Sequence, residues 1–153
     1  MDEKKIEELD NKQYIVVKLG SEQYGIDIQY VDNIVRMQRV TRVPKAQPYF
    51  KGVINIRGEV IPVMSLRLKF GLETDQFKNA TRSLIIKIEP QAAVGMIVDE
   101  VKEVITLSEE DVDRVTGGND ERSAYLFGVG KQPDGLVSLL NVPAVVVEKD
   151  GTI

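Results

Sequence analysis

The apolar pattern of the first half of this chain returns in the second half, and any fold has to accommodate that repetition before anything else. Ile15-Val16-Val17-Lys18-Leu19 lines up with Leu84-Ile85-Ile86-Lys87-Ile88 at an offset of 69. Gly25-Ile26-Asp27-Ile28 then meets Gly95-Met96-Ile97-Val98 at an offset of 70, and Val31, Ile34 and Val35 fall on Val101, Val104 and Ile105. Tyr49-Phe50-Lys51-Gly52-Val53 matches Tyr125-Leu126-Phe127-Gly128-Val129 at 76, and Gly58-Glu59-Val60 matches Gly135-Leu136-Val137 at 77. The growth from 70 to 76 places about six extra residues near Thr116-Gly117-Gly118-Asn119-Asp120, which has loop chemistry. The chain reads as two related halves, approximately 13–80 and 81–150, forming one domain behind a charged tail over 1–12.

Within each half the texture is β. Short β-branched runs over 14–19, 24–28, 34–40, 53–54 and 60–64 are punctuated by Gly, Pro and Asn. The first run is apolar on both faces, as in a strand covered on both sides. About five such strands in about 65 residues cannot hide their apolar faces as one open sheet. Closing each half into a small barrel and packing the two together solves this, so the expected class is all-β: two five-stranded barrels with one or two short helices. Ser65-Leu66-Arg67-Leu68-Lys69-Phe70-Gly71 reads as a short helix stopped by Gly, and Ser108-Glu109-Glu110-Asp111 as a capped acidic turn. The segment Asn141-Val142-Pro143-Ala144-Val145-Val146-Val147 is ambiguous and leans to strand on its valines, although Asn141 and Pro143 suit a first helical turn.

Composition removes whole classes of function. With Cys 0 and His 0 among 153 residues, thiol nucleophiles, Ser-His-Asp triads and Cys/His zinc sites are excluded. A net charge of −4 without a basic stripe, and 6% aromatics, argue against nucleic acid. Apolar runs are only a few residues long and the N-terminus is charged, so neither membrane insertion nor export is expected and the reading is cytoplasmic. No GxGxxG or GxxxxGK[ST] phosphate loop occurs, and no cofactor or metal is expected.

Arg57-Gly58, between Ile54-Asn55-Ile56 and Glu59-Val60-Ile61-Pro62-Val63, reads as a turn that needs no function. A guanidinium fixed there can nonetheless offer directed donors to a partner's carboxylates or helix-end carbonyls. Val31, Ile34, Val35 and Met37 are mostly core, with too few polar breaks for one small sheet to cover them all; some surface is left for an amphipathic helix. Asp99-Glu100 and Glu109-Glu110-Asp111 diverge as sequence neighbours, so a carboxylate enzyme using Asp99, Glu100 or Asp134 is the weaker alternative.

Tyr24-Gly25-Ile26-Asp27-Ile28, Phe50-Lys51-Gly52-Val53-Ile54-Asn55-Ile56-Arg57-Gly58, Ile61-Pro62-Val63 and Gly95-Met96-Ile97-Val98-Asp99-Glu100-Val101 resemble the signature runs of CheW-like coupling proteins of bacterial chemotaxis. The resemblance covers roughly 12–147. It implies two intertwined SH3-like barrels and a non-enzymatic adaptor that joins the cytoplasmic helical hairpin of chemoreceptors to the regulatory domain of the histidine kinase CheA, recruited to receptor clusters. A CheW-like adaptor of a non-chemotactic sensory pathway is the alternative. Carried over by position, Val31, Asn33, Ile34, Asn55, Arg57, Val98 and Val101 are receptor-facing, and Gly52, Ile56 and Gly58 are kinase-facing. Two positions depart from the family pattern: Asn33 where Glu is common, and Ser65 where Asp is usual.

Overall fold

A computed structural model describes residues 11–44, 46–89, 92–114 and 122–146. The tail over 1–10, the Thr116-Gly117-Gly118-Asn119-Asp120 loop and Val147 lie outside them. The first half contributes β1 (Lys12–Leu19), β2 (Glu22–Asp27), β3 (Val31–Arg36), β4 (Phe50–Ile56), β5 (Glu59–Ser65) and helix α1 (Leu66–Lys69). The second contributes β6 (Arg82–Glu89), β7 (Ala92–Val98), β8 (Glu100–Leu107), β9 (Val112–Arg114), β10 (Leu126–Gln132), β11 (Gly135–Leu140) and α2 (Val142–Val146). Lys12 is thus the first residue of a strand and not the end of the tail.

The halves exchange their leading hairpins. One sheet runs β8-β1-β2-β11-β10-β9 and the other β3-β6-β7-β5-β4, so β1–β2 sits among second-half strands and β6–β7 among first-half strands. The junctions are parallel and equivalent: Leu139 stands beside Gly25 in one sheet, Val63 beside Gly95 in the other. The first sheet has six strands where five were expected. Its extra strand β9 corresponds to a single bridge, Thr41 to Val53, in the second.

Alternation explains why both faces of the central strands are apolar. Tyr14 and Val16 enter the core of one barrel with Ile105, Leu107, Val137 and Leu139. Ile15, Val17 and Leu19, on the opposite face of β1, enter a larger layer between the barrels with Leu84, Ile86, Met96 and Val98. Ile85, Ile97, Ile54, Ile61 and Val63 fill the other barrel. Each such side chain contributes about 1.5–3 kcal/mol by burial, which is how a chain without disulfides holds two barrels together.

The hairpins β4–β5 and β10–β11 correct one expectation. Ile56 pairs with Glu59 and Gln132 with Gly135, so both turns have two residues and the offset stays at 76, not 77. Gly58 is the second turn residue, whereas Gly135 already belongs to β11. Helix α1 forms as expected: Ser65 Oγ accepts the Leu68 N–H at 3.1 Å, and Gly71 ends it at φ +75°. The acidic turn over 109–111 is also present, with Asp111 accepting from the Ser108 N–H at 3.0 Å. Residues 142–146 are helical, against the strand expectation. Asn141 Oδ1 caps the Ala144 N–H at 3.3 Å, and the helix buries Val142, Val145 and Val146, whose spacing makes one face, in the layer between the barrels.

Candidate functional site: a free guanidinium and an apolar rim

The turn Arg57-Gly58 has positive φ at both positions, +52° and +82°, the type I′ geometry that matches the twist of a two-residue hairpin. Gly58 takes it without strain; Arg57 is the only non-glycine residue with positive φ among those described. Asn55 Oδ1 braces the turn by accepting the Gly58 N–H at 3.1 Å, and half-buried Ile56 anchors it against the barrel core. Among the described residues, no hydrogen bond or ion pair engages the exposed Arg57 side chain. The equivalent turn, Pro133-Asp134, is tied down: Lys102 Nζ donates to Asp134 and, at 2.9 Å, to Gln23 Oε1. Lys102 holds the Asp134 carboxyl below the ordinary carboxylate range.

Val31 and Ile34 lie on β3, at the sheet edge opposite β4. They pair with Ile86 and Leu84, which belong to the layer between the barrels. Directly opposed residues share a face, so Val31 and Ile34 form an apolar rim of that layer, with Ile34 39% exposed. Val101 and Val104 form the equivalent rim on β8, paired with Val17 and Ile15. Asn33 is exposed and spends its side-chain oxygen on the Ile34 N–H at 2.8 Å. The neighbouring acid, Asp32, lies 3.7 Å from Lys87 Nζ.

Two implied site residues stand elsewhere. Val98 is 0% exposed, inside the layer between the barrels, and cannot offer its side chain to a partner. Gly52 is buried at a register shift in β4, not in a turn, with φ +141° and with the Thr41 carbonyl oxygen 2.1 Å from where a Cβ would stand. It governs how β4 meets residues 41–42, so its influence on any surface is indirect.

The arrangement also contains a polar corner that the sequence reading missed. Arg67, just past β5, clamps Asp99, just past β7: Nε donates to Oδ1 at 2.7 Å and Nη2 to Oδ2 at 2.5 Å, and the Gly20 N–H adds a third bond at 2.7 Å. Hydrogen bonding from Arg67 lowers the Asp99 pKa below the usual carboxylate range, despite its partial burial. The signal was the parallel register. Ser65 stands beside Ile97, so residues two positions further on both strands are neighbours. Ser65 itself donates to Asp75, which brings a carboxylate from the next loop to this corner. The three carboxylates of the enzyme alternative are thus engaged by cations: Asp99 by Arg67, Asp134 by Lys102, and Glu100 with Lys18 at 3.8 Å. Among the described residues no cluster of three or more acids could hold a metal ion.

The comparisons with known proteins fit this architecture. The model of the CheW-like domain matches residues 13–150, a span that includes both barrels. The chain belongs to the CheW-like domain family. The chemotaxis protein CheW of Helicobacter pylori is 37% identical over 88% of this chain and 81% of its own length. The Bacillus subtilis chemotaxis protein CheW is 34% identical over 86% and 85%. The solved structure of the scaffolding protein TtCheW from Thermoanaerobacter tengcongensis superposes with a TM-score of 0.78 at 31% identity, covering 85% of this chain and 88% of that one. The exchange of hairpins described above is therefore a feature of a CheW-like chain. No helix among its described residues is long and apolar enough to cross a membrane.

Proposed function

We propose that this CheW-like chain is a non-enzymatic adaptor that couples chemoreceptors to the kinase CheA in bacterial chemotaxis. The family match across 13–150 carries the reading, because it spans both barrels and not a fragment of one. The receptor's helical hairpin lies against the apolar rim of Val31 and Ile34 on β3 and that of Val101 on β8, with Asn33 and Asn55 at the margin and the Arg57 guanidinium directed at its carboxylates or helix-end carbonyls. The CheA regulatory domain meets the β4–β5 hairpin around Ile56 and Gly58, whose path Gly52 sets. In the cell such an adaptor works on the cytoplasmic side, held at receptor clusters by its partners. Two features support the assignment of Arg57: it tolerates an unfavourable backbone conformation, and its equivalent in the other hairpin has no such side chain. Titration of the full chain with a receptor hairpin fragment and with the CheA regulatory domain tests the proposal. Saturable binding of both at micromolar concentrations is expected, and failure to bind either at tens of micromolar would sink it.

A further inference from the structure

Arg36 and Arg82 stand directly opposite one another across β3 and β6. Like charges in that position destabilise a sheet unless a carboxylate joins them. None does here: among the described residues neither guanidinium takes part in an ion pair. Asp32, the acid of β3, lies 3.7 Å from Lys87 Nζ, and Asp99, which follows the Val98 that pairs with Arg82, is engaged by Arg67. The equivalent pair in the other half is neutral. At the offset of 70 Arg36 corresponds to Thr106, at 69 Arg82 corresponds to Gln13, and Gln13 pairs with Thr106 between β1 and β8. The fold therefore does not require two cations at this place.

The pair sits at the end of an apolar rim. Residues two apart on a strand share a face, so Arg36 follows Ile34 and Arg82 precedes Leu84 on the side that forms the layer between the barrels. The step from Ile34 to Arg36 is about 6.6 Å along the strand, a distance that a helix covers in little more than one turn. Arg82 is fixed in place, because its Nη1 donates to the Asn79 carbonyl at 2.5 Å and to the Thr81 carbonyl at 2.9 Å. Its other nitrogens have no partner among the described residues. Arg36 is exposed, and its side chain makes no hydrogen bond among them.

Resting on the receptor-coupling reading above, we propose that Arg36 and Arg82 bind a carboxylate of the helical hairpin seated on the rim of Val31 and Ile34. An Asp or Glu about one turn from the helix's apolar contact with Ile34 bridges the two guanidinia. The bound carboxylate removes the repulsion between them, so the pair destabilises the free protein and stabilises the complex. Because the other rim ends in Gln13 and Thr106, this charge contact also fixes the direction in which the helix lies.

Titration of the full chain with the receptor hairpin fragment, with each variant's melting temperature measured on the same preparation, is the test. Arg36→Gln is expected to melt at or above the parent's temperature and to bind about three- to tenfold more weakly, with a shallower fall of affinity between about 0.05 and 0.5 M salt. Arg36→Glu, which sets a carboxylate against Arg82, is expected to be at least as stable as the parent and to bind at least about tenfold more weakly. Lysine at one Asp or Glu of the fragment is expected to restore binding to this variant. Unchanged affinity in both variants, no rescue by any such lysine, or a melting temperature lowered by Arg36→Gln overturns the proposal. Ile34→Asp separates it from the reading beneath. Binding lost in Ile34→Asp but kept in Arg36→Glu sinks the proposal alone. A parent protein that does not bind the fragment, or binding that survives Ile34→Asp, sinks the coupling reading and the proposal with it.

Discussion

The hairpins β4–β5 and β10–β11 are built on one plan and end in opposite ways. Both close with two-residue turns, and both expose one apolar residue just past the turn, Val60 at 62% and Leu136 at 65%. The second turn is stapled to β2 and β8 through Lys102; the first leaves Arg57 without a partner among the described residues, in a left-handed conformation. The two copies of one hairpin thus close in different ways: one turn is fastened through its acidic side chain, while the other needs a left-handed residue and leaves that residue's side chain exposed.

The largest difference between the halves is expected at their paired bulge glycines. Gly52→Ala puts a methyl against the Thr41 carbonyl at positive φ and costs about 3 kcal/mol or more. Gly128→Ala, where φ is not left-handed, meets Val112 Cγ1 at 2.8 Å and the Asp113 carbonyl oxygen at 3.0 Å, a milder clash than at Gly52, and costs about 1–2 kcal/mol. Urea unfolding midpoints compare them, and equal costs would break the distinction. Next comes the clamped corner. Arg67→Ala leaves a partly buried carboxylate unpaired and costs about 1–2 kcal/mol after allowing for its exposure, whereas Pro143→Ala at the equivalent place costs under about 0.5 kcal/mol. Because the folded pKa of Asp99 is depressed, its stabilisation is present above its unfolded value of about 4 and is lost as pH falls through the folded value. Asp99→Asn is therefore expected to be destabilised at pH 7 and to show a shallower stability loss below about pH 4; an unchanged pH profile contradicts the clamp.

A smaller effect of opposite sign is expected at the free turn. Arg57→Asn gives the left-handed position a residue that tolerates it and raises stability by about 0.5 kcal/mol, measurable as a higher melting temperature. Smallest of all is Lys102→Ala, which releases the stapled turn at an exposed site and leaves the melting temperature within error at moderate salt. A clear loss there would mean that the staple stabilises the second hairpin after all.

What the sequence revealed and what it hid follow from range. The duplication was legible because burial imposes the same apolar spacing on both copies, and the pairs Val31/Val101 and Ile34/Val104 are equivalent in register as their spacing implied. The exchange of hairpins left no local trace, since β1 and β2 would carry the same alternation in either sheet. Gly58 and Gly135 misled by one residue because glycine suits both a turn and the strand position after it. In 142–146, strand propensity lost to tertiary burial of Val142, Val145 and Val146, although Asn141 had marked a cap. Arg67 and Asp99 are 32 residues apart and meet only through the parallel pairing of β5 with β7. Val98 shows the limit of carrying roles by position, because its side chain is buried in the core.

The central claim is that Arg57 is held in strain for a partner. Measuring, on one preparation of Arg57→Asn, both the melting temperature and the affinity for the receptor hairpin fragment and the CheA regulatory domain tests it most directly. The account predicts a protein at least as stable as the parent whose binding to one of these partners is weakened at least tenfold. A variant that binds both as the parent does would contradict it, whatever its stability.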